Sequence, residues 1–306
     1  MTRRKPHTPE ALLAHPRFQE AMLVYLKALD NLHGDHPSLH RLLHAVGRVV
    51  LFKIILGLDA IFDSEDPQTW PTIGRIQKEM EAFGLTSPRS VDEVLGVMRH
   101  LGLVHIVAAP RDRRTRLVRP SEKMLREERY WLAAHYSPHA FLFPECNDYK
   151  LAVGHDRDFQ DAQRRASAVS HQVAADVLDG NEPIIYFFRR EMGAKVLYQY
   201  LMAGGLTPGE RVGIAHEEVA RRAGISRTHV RNILRDAAEL GYLEIHGEGG
   251  QVSVRPVLME SIHRYMAKSW AALDHACCLA VELMRQDEIA ATRYPVPQGG
   301  WEGVFA

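Results

Sequence analysis

The chain has 306 residues, of which 38 are Lys or Arg and 38 are Asp or Glu, so its formal charge at neutral pH is zero. A composition of 46% hydrophobic and 25% charged residues, with 10 Phe, 10 Tyr and 4 Trp, excludes bulk disorder and fibrous repeats, and the length suits about two domains. Neutrality also excludes a general pull toward nucleic acid or anionic lipid, so a polyanion site has to come from local segregation of charge.

The start, Met1-Thr-Arg-Arg-Lys-Pro6, is basic but leads into an amphipathic stretch from Pro9 to Leu32, without the apolar core and cleavage site of a signal peptide. The greasiest run, Val46 to Phe62, is interrupted by Arg48, Lys53 and Asp59 and falls short of the about 20 apolar residues that a bilayer span takes. Cys146 and the adjacent Cys277 and Cys278 cannot build a disulfide framework. A soluble cytoplasmic chain with no membrane partner is expected.

Blocks of sequence recur in the same order. Phe18-Gln-Glu-Ala21 returns as Phe159-Gln-Asp-Ala162, Leu29-Asp30 as Leu178-Asp179, and Gly34-Asp-His-Pro37 as Gly180-Asn-Glu-Pro183. Val91-Asp-Glu-Val94-Leu95 with Leu101-Gly102-Leu103-Val104 is matched by Val230-Arg-Asn-Ile233-Leu234 with Leu240-Gly241-Tyr242-Leu243, and Val118-Arg119-Pro120 by Val254-Arg255-Pro256. Residues 1–135 and 155–290 therefore read as two copies of one unit, with a 136–154 connector rich in Pro, His and aromatics and a loose 291–306 tail.

In the first copy, Asp35 is the candidate N-cap and Pro37 a first-turn residue of a long helix with apolar positions Leu39, Leu42, Leu43, Val46, Val50 and Ile54. A helix pair follows over 72–103, with its turn at Gly84-Leu85 and with Ser87, Arg89 and Ser90 opening the second helix. Asp92 and Glu93 on that helix would repel phosphate unless they read cytosine amino groups, so it is expected to be the weaker reader of a duplex. A hairpin then sets Arg111, Arg113, Arg114, Arg116 and Arg119 around the single acid Asp112, a composition suited to a narrow, electronegative minor groove.

In the second copy Asn181 and Pro183 occupy the equivalent helix start. His216 to Ala223 forms a helix with Val219 and Ala220 inward, Gly224 allows a sharp turn, Ile225 plugs the gap between helices and Ser226 caps the next helix. That next helix buries Val230, Ile233, Leu234 and Ala237 and leaves Arg227, Thr228, His229, Arg231, Asn232 and Arg235 outside. These side chains read base edges and phosphates: Arg suits guanine or phosphate, Asn suits adenine, and Ser or Thr either. Extended runs at 243–246 and 251–254 around Gly247-Glu-Gly-Gly250 form a hairpin. The closing helix, 262–290, has an apolar stripe of Trp270, Leu273, Cys277, Val281 and Met284, for intrachain core or for a homodimer seam.

Asp112-Arg-Arg-Thr-Arg-Leu-Val-Arg119, with Leu101-Gly102-Leu103-Val104 before it and Ser121-Glu-Lys123 after it, resembles the wing signature of the MarR family of bacterial transcription regulators. The resemblance covers mainly 45–130 and more loosely 190–262. It implies winged helices that bind double-stranded DNA, with Asp112 orienting Arg114 for the minor groove, and a small-molecule effector pocket between the helical layer and the winged helices. Family chains are shorter and pair through their terminal helices, so a tandem fusion implies a pseudo-dimer in one chain. Pro120 stands where the family has Leu, and the second hairpin lacks the Asp-x-Arg.

The expected fold class is mainly α with small β-wings: two tandem winged helix-turn-helix units in a helical scaffold about a pseudo-two-fold axis. Among His33, His36, His40 and His44, one pair lies a helical turn apart, but no acid or cysteine follows at ligand spacing, so no metal or other cofactor is expected. Cys277 and Cys278 read as inert packing. His216-Glu-Glu lacks the second His of a zinc hydrolase helix and no nucleophile elbow stands out, so no enzymatic activity is expected. The expected function is a sequence-specific DNA-binding transcription regulator. The alternatives are a plasmid-type replication initiator and a protein-interaction or ligand-sensing module that has lost DNA binding, to which Asp92, Glu93 and Glu248 are suited.

Overall fold

Helix formation starts early, because the Thr8 hydroxyl accepts the Ala11 N–H at 3.2 Å and Pro9 takes the first turn of α1 (Pro9–Leu13). The computed structural model describes residues 4–35, 46–82, 88–110, 112–168, 177–178, 180–247 and 250–293. Among these residues the fold is mainly helical, with two small antiparallel sheets of two strands each.

Helix α2 (Phe18–Asp35) buries Phe18, Met22, Tyr25, Leu26, Leu29 and Leu32 at helical spacing, and α3 (Val46–Ala60) buries Leu51, Phe52, Ile55 and Leu58. Asp35, expected to cap the following helix, instead belongs to the last turn of α2, which the stripe through Leu32 carries on. Pro37, Leu39, Leu42 and Leu43 lie outside the described residues. Next come α4 (Ile73–Ala82), α5 (Pro88–His100), and the hairpin of β1 (Val104–Ala108) and β2 (Arg116–Pro120), in register from Val104 opposite Pro120 to Ala108 opposite Arg116. Ser121 then caps α6 (Glu122–Leu142): its hydroxyl accepts the Met124 N–H at 3.2 Å and donates to the Gly102 carbonyl at 2.7 Å.

The stretch read as a connector is largely helical. Helix α6 runs through Pro138, which cannot donate to the Ala134 carbonyl, and the Ser137 hydroxyl takes that acceptor at 2.8 Å. After α7 (Asn147–Val153) comes α8 (Arg157–Ala168). The single helix expected from Asn181 is broken in two, α9 (Glu182–Phe188) and α10 (Gly193–Met202). Met192 adopts a left-handed φ of 56° at the break, and a Cβ at Gly193 would collide with the Phe187 carbonyl oxygen, so this reversal requires glycine. Asn181 stands at the N-cap position but its amide donates to the Val177 carbonyl at 2.9 Å rather than capping α9.

The second half continues with α11 (His216–Ala223), α12 (Arg227–Glu239), β3 (Leu243–His246), β4 (Gln251–Val254) and the long α13 (Pro256–Arg293), which starts before the expected Ile262. Each hairpin gains a bridge from the segment ahead of its helix pair, Thr72 to Leu117 and Val212 to Val252. Two scaffold helices pack both beside their own half and across to the other: α2 on α6 and, across, on α10, and α8 on α13 and, across, on α3. One continuous core cluster includes residues of both halves, and it takes in Trp270, Leu273, Cys277, Val281 and Met284 of the α13 stripe.

Candidate nucleic-acid interface

The α11–α12 corner follows from local chemistry. Gly224 ends α11 in the left-handed region at φ 70°, Ile225 packs against the core, and Ser226 caps α12 by accepting the His229 N–H at 3.1 Å. Val230, Ile233, Leu234 and Ala237 are buried, as the spacing predicts. The opposite face, the start of α11 and the hairpin tip enclose a groove of about 750 Å³.

Arg227, Thr228, Arg231, Asn232 and Arg235 all line that groove. Arg227, Thr228 and Arg231 are exposed, Asn232 is half-buried, and neither Arg227 nor Arg231 forms an ion pair among the described residues. Arg235 is partly neutralised on its own helix, by Asp236 at 3.1 Å and Glu239 at 3.9 Å. His229 is placed differently: half-buried, its Nε2 lies 3.2 Å from the Glu191 carbonyl oxygen in the turn between α9 and α10. Ser226 is exposed, and its hydroxyl is engaged by the cap.

His216, Glu217 and Ile245 also line the groove, although the sequence pattern does not single them out as contact residues. Their signal is positional: each sits where α11 or β3 faces the hairpin tip. Burial lowers the His216 imidazole pKa against a hydrogen bond with the Gly250 main chain, and Arg227 and Arg231 push it the same way as burial.

The first half presents a different surface. Gly84, Leu85, Ser87 and Arg111 lie outside the described residues. On α5, exposed Arg89 pairs with Glu93 at 3.4 Å, Asp92 accepts from the Gln77 amide at 3.0 Å, and Ser90 is half-buried. At the hairpin tip the Asp112 carboxylate accepts the Thr115 hydroxyl at 2.7 Å and the Arg114 main-chain N–H at 2.9 Å, which together lower its pKa. Asp112 thus holds the backbone at Arg114, and Arg113, Arg114 and Arg116 stand exposed around it.

Arg119 does not join them. Its guanidinium pairs with Asp59 on α3 and lies 4.3 Å from the Phe62 ring centroid. Asp59 is shared with Arg164 of α8, whose Nε lies 3.8 Å from buried Glu128, and Glu128 also accepts from Lys53 at 2.7 Å and the Gln160 amide at 3.0 Å. This network anchors the base of the first hairpin to the second half.

The remaining candidates are structural or lie outside the described residues. His36, His40 and His44 fall among the latter, and no group of three or more His, Cys, Asp or Glu side chains suited to a metal occurs among the described residues. Cys277 and Cys278 are buried, and burial raises both thiol pKa values, that of Cys278 to about 11. No helix among the described residues is long and apolar enough to cross a membrane. No protein-family model matches the chain, and no curated protein and no solved structure matches it.

Proposed function

We propose that the chain is a sequence-specific DNA-binding regulator of transcription that acts in the cytoplasm. It engages one duplex through two winged helix-turn-helix units, α4–α5 with β1–β2 and α11–α12 with β3–β4, arranged about a pseudo-two-fold axis. The observation that carries this reading is the outer face of α12, where Arg227, Thr228, Arg231 and Asn232 share one groove and the two leading arginines have no ion-pair partner among the described residues. Such a helix enters a major groove while the adjoining hairpin tracks the backbone. The crossed packing of α2 and α8 supports a pseudo-dimer within one chain, and the Ser121 cap after the MarR-like hairpin agrees with it.

The two units are unequal. The second contributes a basic helix, the first the arginines of its hairpin tip, so the target is asymmetric. The paired acids of α5 favour a second reading for that helix alone, as a protein contact. Titration of a mixed-sequence duplex at about 50 and 200 mM salt tests the regulator reading. Salt-dependent binding that is lost in Arg227→Ala/Arg231→Ala supports it, and no binding at the lower salt overturns it.

A further inference from the structure

Gln199, on α10, is 1% exposed and faces both halves of the molecule. Its Nε2 donates to Asp30 Oδ1 on α2 at 2.8 Å, and its Oε1 accepts from Arg222 Nη1 on α11 at 3.0 Å. Arg222 Nε in turn donates to Glu218 Oε1 at 2.6 Å. One line of bonds therefore runs from scaffold helix α2 of one half into the helix pair of the other. An amide has a donor side and an acceptor side, and reversing this one would set its NH2 against a guanidinium and its oxygen against a carboxylate. The partners thus fix a single orientation. Lys195, whose pKa burial lowers, sits near the same Asp30 carboxylate.

We propose that Gln199 is a positioning residue for the DNA-reading helix α12: it sets α11 relative to α2, and α11 carries α12 through the tight Gly224 turn. This rests on the regulator reading above. Its consequence is that the second unit's affinity depends on a scaffold helix of the first half.

The test is a mutant cycle on the full chain with a fluorescein-labelled mixed-sequence duplex as probe. Gln199→Glu keeps the side-chain shape but sets a carboxylate against Asp30, and binding is expected to weaken about five- to tenfold. In an Arg231→Ala background that loss is expected to shrink, because one of the α12 contacts it acts through is gone; in an Arg114→Ala background it is expected to persist in full. A merely structural role gives equal losses in both backgrounds. If Gln199→Glu does not fold, Gln199→Met, which removes both bonds at similar volume, is read in the same cycle. Wild-type protein that does not bind overturns the regulator reading and this proposal with it. Wild-type binding with an unaltered variant, or equal losses in both backgrounds, overturns the positioning role alone.

Discussion

The Tyr149 hydroxyl donates to Asp274 Oδ1 at 2.8 Å, joining α7 to α13 across 125 residues of sequence. The same buried carboxylate accepts from Arg4 Nη1 and from the His7 main-chain N–H, each at 2.6 Å. Burial pushes the carboxyl pKa up, and the His7, Arg4 and Tyr149 contacts together outweigh it, so the pKa lies below its ordinary 3.8. A carboxyl whose pKa is lowered by folding stabilises the fold above its unfolded pKa and loses that contribution as pH falls through the folded value. Asp274→Asn is therefore expected to cost about 3 kcal/mol at neutral pH, where it leaves Arg4 without its buried partner. In urea unfolding the gap from wild type should narrow below about pH 4. A gap constant to about pH 2 would contradict this role.

Arg114 and Arg119 share one hairpin and are expected to answer differently. Arg114→Ala should reduce the slope of log affinity against log salt by about one, as one phosphate contact is lost, with little change in stability. Arg119→Ala should leave that slope unchanged and lower stability by about 1 kcal/mol, because its guanidinium is spent on Asp59 and is only partly buried. Salt titrations and urea melts of both variants decide it; a reduced slope in Arg119→Ala would place that residue on the DNA.

Two glycines give opposite responses to alanine. At Gly193 the new Cβ meets the Phe187 carbonyl, and Gly193→Ala is expected to cost about 2 kcal/mol through forced backbone movement. At Gly96, inside α5, nothing lies within 4 Å of the added carbon, and Gly96→Ala is expected to stabilise by about 0.5 kcal/mol. Equal melting temperatures for the two variants would argue against the tight reversal between α9 and α10.

The sequence carries those parts of the fold that local chemistry determines. Gly224, Ser226 and the Val230-Ile233-Leu234-Ala237 spacing specify the α11–α12 corner within one stretch of chain, and the bounds of α11, β3 and β4 match the expected ones. What it hides depends on distant partners. Arg119 reads as one more hairpin cation until Asp59 and Arg164 are found beside it, 60 and 45 residues away. His229 has the outward position its helix predicts, and the turn that receives its ring comes 38 residues earlier. The break at Gly193 is likewise set by the close return of chain onto Phe187, which residue type alone does not reveal. The 136–154 stretch reads as a linker because Pro138 is a helix breaker, and Ser137 repairs the lost bond.

The His7–Asp274 contact also sets the order in which the chain can fold as it is made. His7 meets its acceptor only after 267 further residues have been added, which at ribosomal speed takes on the order of 15 to 50 s. Until then α1 lacks its α13 partner, and α3 waits over a shorter stretch for α8. The nascent first half therefore emerges with apolar faces uncovered, which is the cost during synthesis of a core shared by both halves of the chain.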